Sequence, residues 1–298
     1  MRTLELIVTP DQAGRTVRSL LKPELRLSSH AVSRLTRRET GILLDGVRAF
    51  TTAVVRAGDV LSVEIGDGRT DGGGVPPLDI PLDILYEDED VLAVNKPAGM
   101  AVHASSLTPE TPTLDGALAA RWGGPFVFHP VNRLDKGTTG VMLVAKSGYV
   151  HELLRRALHS ADLCREYRAV VVGRLDPPAG IVDAPIGREA GSVIRRCVAP
   201  DGASAVTRYE TLWSDGAFSL VRLLPETGRT HQLRLHMAHL GCPLAGDWLY
   251  GTEDKALIPR PALHSCHLRL THPITGVPLS LAAPLPEDMR RLIKYSEV

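Results

Sequence analysis

A lone carboxylate leads directly into an apolar run. Asp135 sits in the turn Arg133-Leu134-Asp135-Lys136-Gly137-Thr138-Thr139-Gly140, and the next five residues, Val141-Met142-Leu143-Val144-Ala145, are all apolar. A short apolar run that follows a Gly/Thr-rich turn reads as a buried strand. The chain is thereby committed to a sheet with 141–145 inside it and Asp135 at the strand's mouth. Flanked by Arg133 and Lys136, this aspartate is a poor core residue and a good candidate for a nucleophile held among cations.

The surrounding pattern sets the fold class. Short strands are expected at 84–86, 91–94, 167–172, 208–212 and 218–224, and a hairpin over 271–279. Helices are expected at 149–161 and 231–240, the second stopped by Gly241. Strands in this order, without regular strand–helix–strand alternation, predict an α+β fold with a mixed, largely antiparallel sheet. The stretch 66–77, rich in Gly and ending Pro76-Pro77, has the composition of a flexible linker. It predicts a small unit over 1–66, a linker over 67–77 and a large unit over 78–298.

In the small unit a helix is expected over 11–21. A second helix is capped by Ser28 or Ser29 and stopped by Gly41. On it Arg34, Arg37 and Arg38 are spaced to share one face, with Val32 and Leu35 turned toward a core. A hairpin about Asp45-Gly46 follows, then a half-buried strand alternating through Leu61, Val63 and Ile65. The arginine face is either a solvated helix surface or a nucleic-acid contact.

At 298 residues, 44% hydrophobic and 23% charged, the chain can bury a core as one large domain or a large one plus a small one. No stretch approaches the roughly 18 apolar residues of a membrane span, and no secretory layout opens the sequence, so the cytoplasm is the expected location. The four cysteines are scattered, which excludes a C-x-x-C redox or zinc-ribbon motif and a disulfide scaffold. Formal net charge is zero, with 11 Lys/Arg against 8 Asp/Glu in residues 1–70 and 23 against 26 beyond. A nucleic-acid partner must therefore be held by local basic patches, not by a global field. His231, His236 and His239 lack the i, i+4 pairing of helical zinc sites, so no metal is expected there. The acidic turn Glu87-Asp88-Glu89-Asp90 reads as solvated.

Four blocks appear in order along the large unit. They are Asn95-Lys96-Pro97-Ala98-Gly99-Met100-Ala101-Val102-His103, the Asp135 turn with its strand, Arg165-Glu166-Tyr167-Arg168-Ala169, and Thr227-Gly228-Arg229-Thr230-His231-Gln232-Leu233-Arg234-Leu235-His236, which continues to Gly246-Asp247-Trp248-Leu249-Tyr250-Gly251. Together they resemble the RluA-type pseudouridine synthases, and the small unit resembles an S4 RNA-binding domain. The resemblance implies isomerisation of specific uridines in structured RNA without a cofactor, with Asp135 as the catalytic residue. Ribosomal RNA is the expected partner, ahead of transfer RNA, with a monomer as the default. It further implies Arg229 as the cation beside Asp135, Tyr167 as a stacking face for the target base, and Arg133 as a brace for the vacated stack or a phosphate contact. Arg34, Arg37, Arg38 and Lys96 are the candidate RNA contacts, with Lys96 and Asp247 either touching substrate or supporting the loop. The sequence departs from the family pattern at Asn132, where the family carries His. Two rivals stand beside this reading: a non-catalytic RNA-binding or ribosome-assembly factor that retains the fold, and a carboxylate-dependent hydrolase. The hydrolase would need a second catalytic carboxylate, for which Asp247 is the candidate.

Overall fold

The computed structural model describes residues 2–67, 75–104, 110–123, 126–158, 160 and 162–293. Its centre is the strand Thr139–Ala145, buried at every position. Alternation divides its side chains between two layers. Met142 and Val144 join Leu114 and Leu118 of the helix Leu114–Trp122 on one face. Val141, Leu143 and Ala145 join Val150 and Leu154 of the helix Gly148–Ala157 on the other. Each such side chain contributes about 1.5–3 kcal/mol when fully buried.

This strand lies in a ten-stranded sheet. The main path runs Ala179–Asp183, Val206–Ser214, Phe218–Pro225, Leu163–Val172, Leu263–Thr271, Thr139–Ala145, Val91–Lys96, Asp83–Glu87. Pro278–Ala282 pairs with Leu263–Thr271, and His129–Pro130 with Thr139–Ala145. Pairing is antiparallel except between Leu263–Thr271 and Thr139–Ala145, which run parallel over two residue pairs. At that junction Gly140 has φ +107°, and a Cβ there would lie 2.1 Å from the Ser265 carbonyl oxygen. Only glycine lets the two strands meet just beyond the Asp135 turn. The fold is α+β with a mainly antiparallel sheet, as expected.

The N-terminal residues form a separate four-stranded sheet, in the order Arg2–Ile7, Val60–Ile65, Ile42–Leu44, Val47–Arg48. The Asp45-Gly46 turn has positive φ at both positions, as a two-residue hairpin of this twist demands. The strand Arg2–Ile7 was not expected; it alternates half-buried with exposed side chains and pairs in register with Val60–Ile65. The helix expected over 11–21 is shorter, a 3-10 turn Pro10–Gln12 and then Val17–Leu21. Its chain is extended at Ala13 and Thr16, and the N–H groups of Val17 and Arg18 bond to Ala53 and Thr51.

The second helix, Ser29–Leu35, is capped by Ser28, whose hydroxyl accepts from Ala31 N–H at 3.1 Å. It ends well before Gly41. The N–H groups of Arg37 and Arg38 bond three residues back, to Arg34 and Leu35, tightening the chain into a turn. A Cβ at Gly41 would lie 2.1 Å from the Leu35 carbonyl oxygen, so glycine permits that tight return. The three arginines therefore do not share one helical face. Arg38 donates to Gly66 O at 3.0 Å, Arg34 lies 3.8 Å from Asp67, and Arg37 is exposed.

Within the acidic turn Glu89 is solvated, but its neighbours are engaged. Glu87 meets Lys146 at 2.8 Å, Arg121 at 2.7 Å and the Trp122 indole N–H at 3.2 Å. Burial pushes its carboxyl up, but these three donors outweigh burial and hold it down at about 2. Asp88 accepts from the N–H groups of Asp90 and Val91, and buried Asp90 pairs with Arg2 of the N-terminal sheet. Of the expected linker, 68–74 lie outside the described residues. Asp67 itself is held firmly: one carboxylate oxygen is 2.7 Å from His129 Nε2, and the other accepts from Gly148 N–H at 3.2 Å. Together with Tyr149, whose hydroxyl donates to Leu25 O at 2.7 Å, these contacts seat the small sheet against the large one.

Candidate active site

The Asp135 turn opens into a cleft of about 630 Å³. Its framework is rigid for identifiable reasons. Leu134 is buried in the core, and the Thr138 N–H closes the turn on Asp135 O at 3.0 Å. Buried Asn132 donates to Val141 O at 3.3 Å and accepts from Leu143 N–H at 2.8 Å, tying the segment before the turn to the central strand. At the position where the family has His, this chain uses a side chain that orients the loop through two backbone bonds.

Lys96 does not reach RNA. It is fully buried, and its ammonium donates to Pro97 O and Met100 O at 2.9 Å and to Lys136 O at 3.4 Å. Burial drags its pKa down to about 7, against the opposing pull of Asp135. Its work is to hold the carbonyl next to Asp135. Arg260 acts alike from another side, donating through Nη1 to Gly137 O at 3.2 Å while two further nitrogens clasp Asp288 at 2.7 Å.

The cation beside Asp135 is Arg234. Its Nη1 donates to Asp135 Oδ2 at 3.1 Å, and its Nε and Nη2 grip both Asp247 oxygens at 2.7 Å. Arg234 is 4% exposed and Asp247 0%. Burial disfavours the guanidinium charge, but Asp247 and Asp135 more than restore it and raise its pKa. Arg229 is exposed on the preceding turn, and its Nε donates to Ser204 O at 2.9 Å. The expected Asp135–Arg229 pairing is thus replaced by Asp135–Arg234. The reason is local: Gln232 bonds back to Arg229 N–H and starts the helix Gln232–His239, which carries Arg234 inward and leaves Arg229 outside. Asp247 also accepts from Leu249 and Tyr250 N–H groups, so it is spent on holding Arg234 and the following turn. As the second carboxylate of a hydrolase it has no open face.

Tyr167 lies on the strand Leu163–Val172, 6% exposed, where it belongs to the core and also lines the cleft. Burial pushes its phenol up. Arg133 is exposed at the cleft's rim. Two residues without an expected role line it as well. Arg165 donates to Pro225 O and Thr227 O at 3.4 Å, and its buried Nε has no partner. His231 places Nε2 3.9 Å from Asp135 Oδ2. Both stood inside quoted motif blocks, but only the fold shows that they line one cleft with Asp135.

His236 is buried between Thr207 Oγ1 and Ala184 O, at 2.9 and 3.1 Å, as a core histidine. Among the described residues, Asp88, Asp90 and His272 come close enough to suggest a metal site. The donor set argues against one. His272 Nδ1 accepts from Ile274 and Thr275 N–H groups, which leaves the ring proton on Nε2 facing Asp88, and Arg2 already pairs with Asp90. No helix among the described residues is long and apolar enough to cross a membrane.

Residues 90–239 match the family model for RNA pseudouridylate synthase. The chain is 39% identical over 273 residues to the uncharacterized RNA pseudouridine synthase YjbO of Bacillus subtilis, covering 91% of this chain and 96% of that protein. It is 38% identical over 311 residues to the ribosomal large subunit pseudouridine synthase D of Xanthomonas campestris, covering 98% and 92%. Among solved structures it resembles human RNA pseudouridylate synthase domain containing 4, with a TM-score of 0.55, 28% identity and coverage of 70% of this chain and 90% of that one.

Proposed function

The chain belongs to the RNA pseudouridylate synthase family, and on that premise we propose that Asp135 is its catalytic carboxylate and ribosomal RNA its substrate. The observation that carries the proposal is the Asp135–Arg234–Asp247 chain. Asp247 locks Arg234, and Arg234 in turn aims one oxygen of Asp135 into the cleft. A bidentate guanidinium fixes direction as well as charge.

Isomerisation breaks the N1–C1′ bond of uridine, turns the detached base and joins C5 to C1′. The proton displaced from C5 ends on N1, so no oxidant, reductant or energy source is consumed. Asp135 serves this exchange either as a nucleophile at the sugar carbon or as the base that takes a proton. A base stacked in RNA has to be flipped out to reach it. Tyr167 and Leu233 give the cleft a flat apolar wall for that base, and stacking of a base on an aromatic ring contributes about 1–3 kcal/mol. Arg133 at the rim is suited to brace the vacated stack or hold an adjacent phosphate.

The small sheet is assigned as an S4-like RNA-binding domain over 1–66, joined through 67–77 to a catalytic domain over 78–298. Arg37 is its exposed phosphate contact, while Arg34 and Arg38 lean on residues 66–67. The relative named for the ribosomal large subunit favours ribosomal over transfer RNA. A monomer working in the cytoplasm accords with this reading.

The test is a transcriptome-wide pseudouridine map of wild type, a deletion, and the deletion complemented with Asp135→Asn. The expected result is loss of the same few sites in the deletion and the Asn strain. Sites that return with Asp135→Asn would remove Asp135 from catalysis and favour the binding-factor rival.

A further inference from the structure

We propose that His231 is a catalytic hydrogen-bond donor to the uracil ring, holding carbonyl O2 as the base leaves and carbonyl O4 after it has turned. The inference rests on the isomerase reading above and assigns a residue to its base half.

The backbone puts His231 in an unusual state. It caps the helix Gln232–His239 with φ 60° and ψ 15°, a left-handed conformation that side chains bearing a Cβ seldom adopt. Non-glycine residues held this way cluster at functional sites, because the surrounding structure must over-determine them. Here Gln232 pins the turn before the helix, and the ring of Tyr250 stands edge-on to the imidazole with centroids 5.7 Å apart. The side chain is 12% exposed, enough to touch a ligand in the cleft and too little to wander.

Tyr250 fits one tautomer of the ring. Its Oη accepts the Arg196 N–H at 2.9 Å and lies 3.0 Å from His231 Nδ1, positioned to donate its phenolic proton there. With Nδ1 accepting, the ring proton resides on Nε2. Burial lowers the pKa of His231, with Arg234 and Arg196 adding to the effect against Asp135 and Asp247, so the ring is a neutral donor. Its Nε2 faces Asp135 Oδ2 across 3.9 Å, too far for a hydrogen bond. Among the described residues, only Arg234 and His231 bring a basic nitrogen within 4 Å of that carboxylate, and Arg234 already engages all three of its nitrogens with Asp135 and Asp247. His231 Nε2 is the donor assigned to the substrate.

The reaction supplies the acceptor. When N1–C1′ breaks, the bonding pair stays with the base, and its charge spreads from N1 to O2 and O4. O2 is on the ring carbon next to N1, so a donor beside the reacting carboxylate meets it. Turning the ring about its N3–C6 axis exchanges N1 with C5 and O2 with O4. The same N–H then meets O4 while C5 approaches C1′. No proton is transferred to or from His231, so the isomerisation balances as before. A preorganised donor aimed at developing negative charge is among the strongest catalytic devices available to a protein.

The test uses the full-length enzyme and two transcripts bearing the mapped target, one with uridine and one with 5-fluorouridine at that position. Fluorine withdraws electrons and stabilises the departing anion, so the fluorinated base needs the donor less. His231→Ala is expected to slow single-turnover reaction of the uridine transcript about 100-fold, with RNA affinity unchanged and a smaller penalty on the fluorinated one. His231→Gln, which retains an N–H, should recover part of the rate. Tyr250→Phe, which frees Nδ1 but keeps the ring, should lose part of it. Equal penalties on both transcripts mean that His231 only shapes the site, and an undiminished rate removes it from the chemistry; either overturns the proposal. A wild-type enzyme that leaves uridine intact overturns the isomerase reading itself, and this inference with it.

Discussion

Two groups of cations in this protein are built in opposite ways. Around the Asp135 turn, Arg234, Lys96 and Arg260 are buried and spend their donors on carboxylates or backbone carbonyls. In the N-terminal sheet, Arg34, Arg37 and Arg38 sit in or near water, with one 3.8 Å ion pair and one backbone bond among them. The first group gives position: a buried charge cannot move without leaving a partner unpaired. The second gives attraction: an exposed charge contributes little to folding but draws in phosphate at a distance set by salt. An enzyme on RNA needs both, and here they are separated in space.

The largest effect should follow from breaking the buried group. Arg234→Met keeps bulk but leaves Asp247 as an unpaired charge with no exposed surface. Stability should fall by about 3–5 kcal/mol, the usual result when one partner of a buried pair is removed. Isomerisation should be lost even at temperatures where the variant is folded, because Asp135 loses its hydrogen bond to Arg234. Denaturation curves and turnover assays check the two parts separately. Arg229→Met is the paired control: the Arg229 side chain is exposed and bonds Ser204 O, so stability should change by less than about 1 kcal/mol. Equal damage from both variants would erase the distinction between buried and solvated cations.

That pair of arginines also marks how far the sequence could be read. The buried strand 141–145, the Asp45-Gly46 hairpin and the strand pair across 206–225 were legible because each is encoded locally, by an apolar run, a turn dipeptide or alternation. The choice between Arg229 and Arg234 was not. Both stand in one motif, and the helix Gln232–His239 is buried at six consecutive positions, 232–237, so no polar face reveals its orientation. Lys96 stayed open between substrate contact and loop support for a related reason, since nothing in the sequence shows which carbonyls receive its ammonium. The acidic turn looked solvated and Asp67 read as flexible linker because their partners, Lys146, Arg2 and His129, are distant in sequence. His231 was dismissed with a histidine cluster that the fold takes apart.

A smaller effect should follow from the solvated group. Arg37→Ala is expected to leave folding within about 0.5 kcal/mol of wild type, as for most surface changes. RNA affinity should fall, and the slope of log affinity against log salt should lessen by about one, as when one phosphate contact is lost. The single-turnover rate at saturating enzyme should not change. A salt slope that stays put would show that Arg37 touches no phosphate, and would remove this position from the RNA contacts of the N-terminal sheet.

Glu87 lies between the two extremes, with a side chain 22% exposed and three donors around it. Its carboxyl is held at about 2, below the ordinary 4.5. A carboxylate depressed by folding stabilises the native state fully above the unfolded value, and the contribution fades as pH falls toward the folded value. Glu87→Gln should therefore cost stability at pH 6, and the gap between variant and wild type should narrow between pH 4.5 and 2. Urea denaturation across that range measures it. The effect should be modest because water still screens the pair of cations. A gap that held constant with pH would show that Lys146 and Arg121 act there through shape and hydrogen bonding, placing Glu87 with the tied groups around the Asp135 turn; a gap that closes places its charge at the centre of the contact.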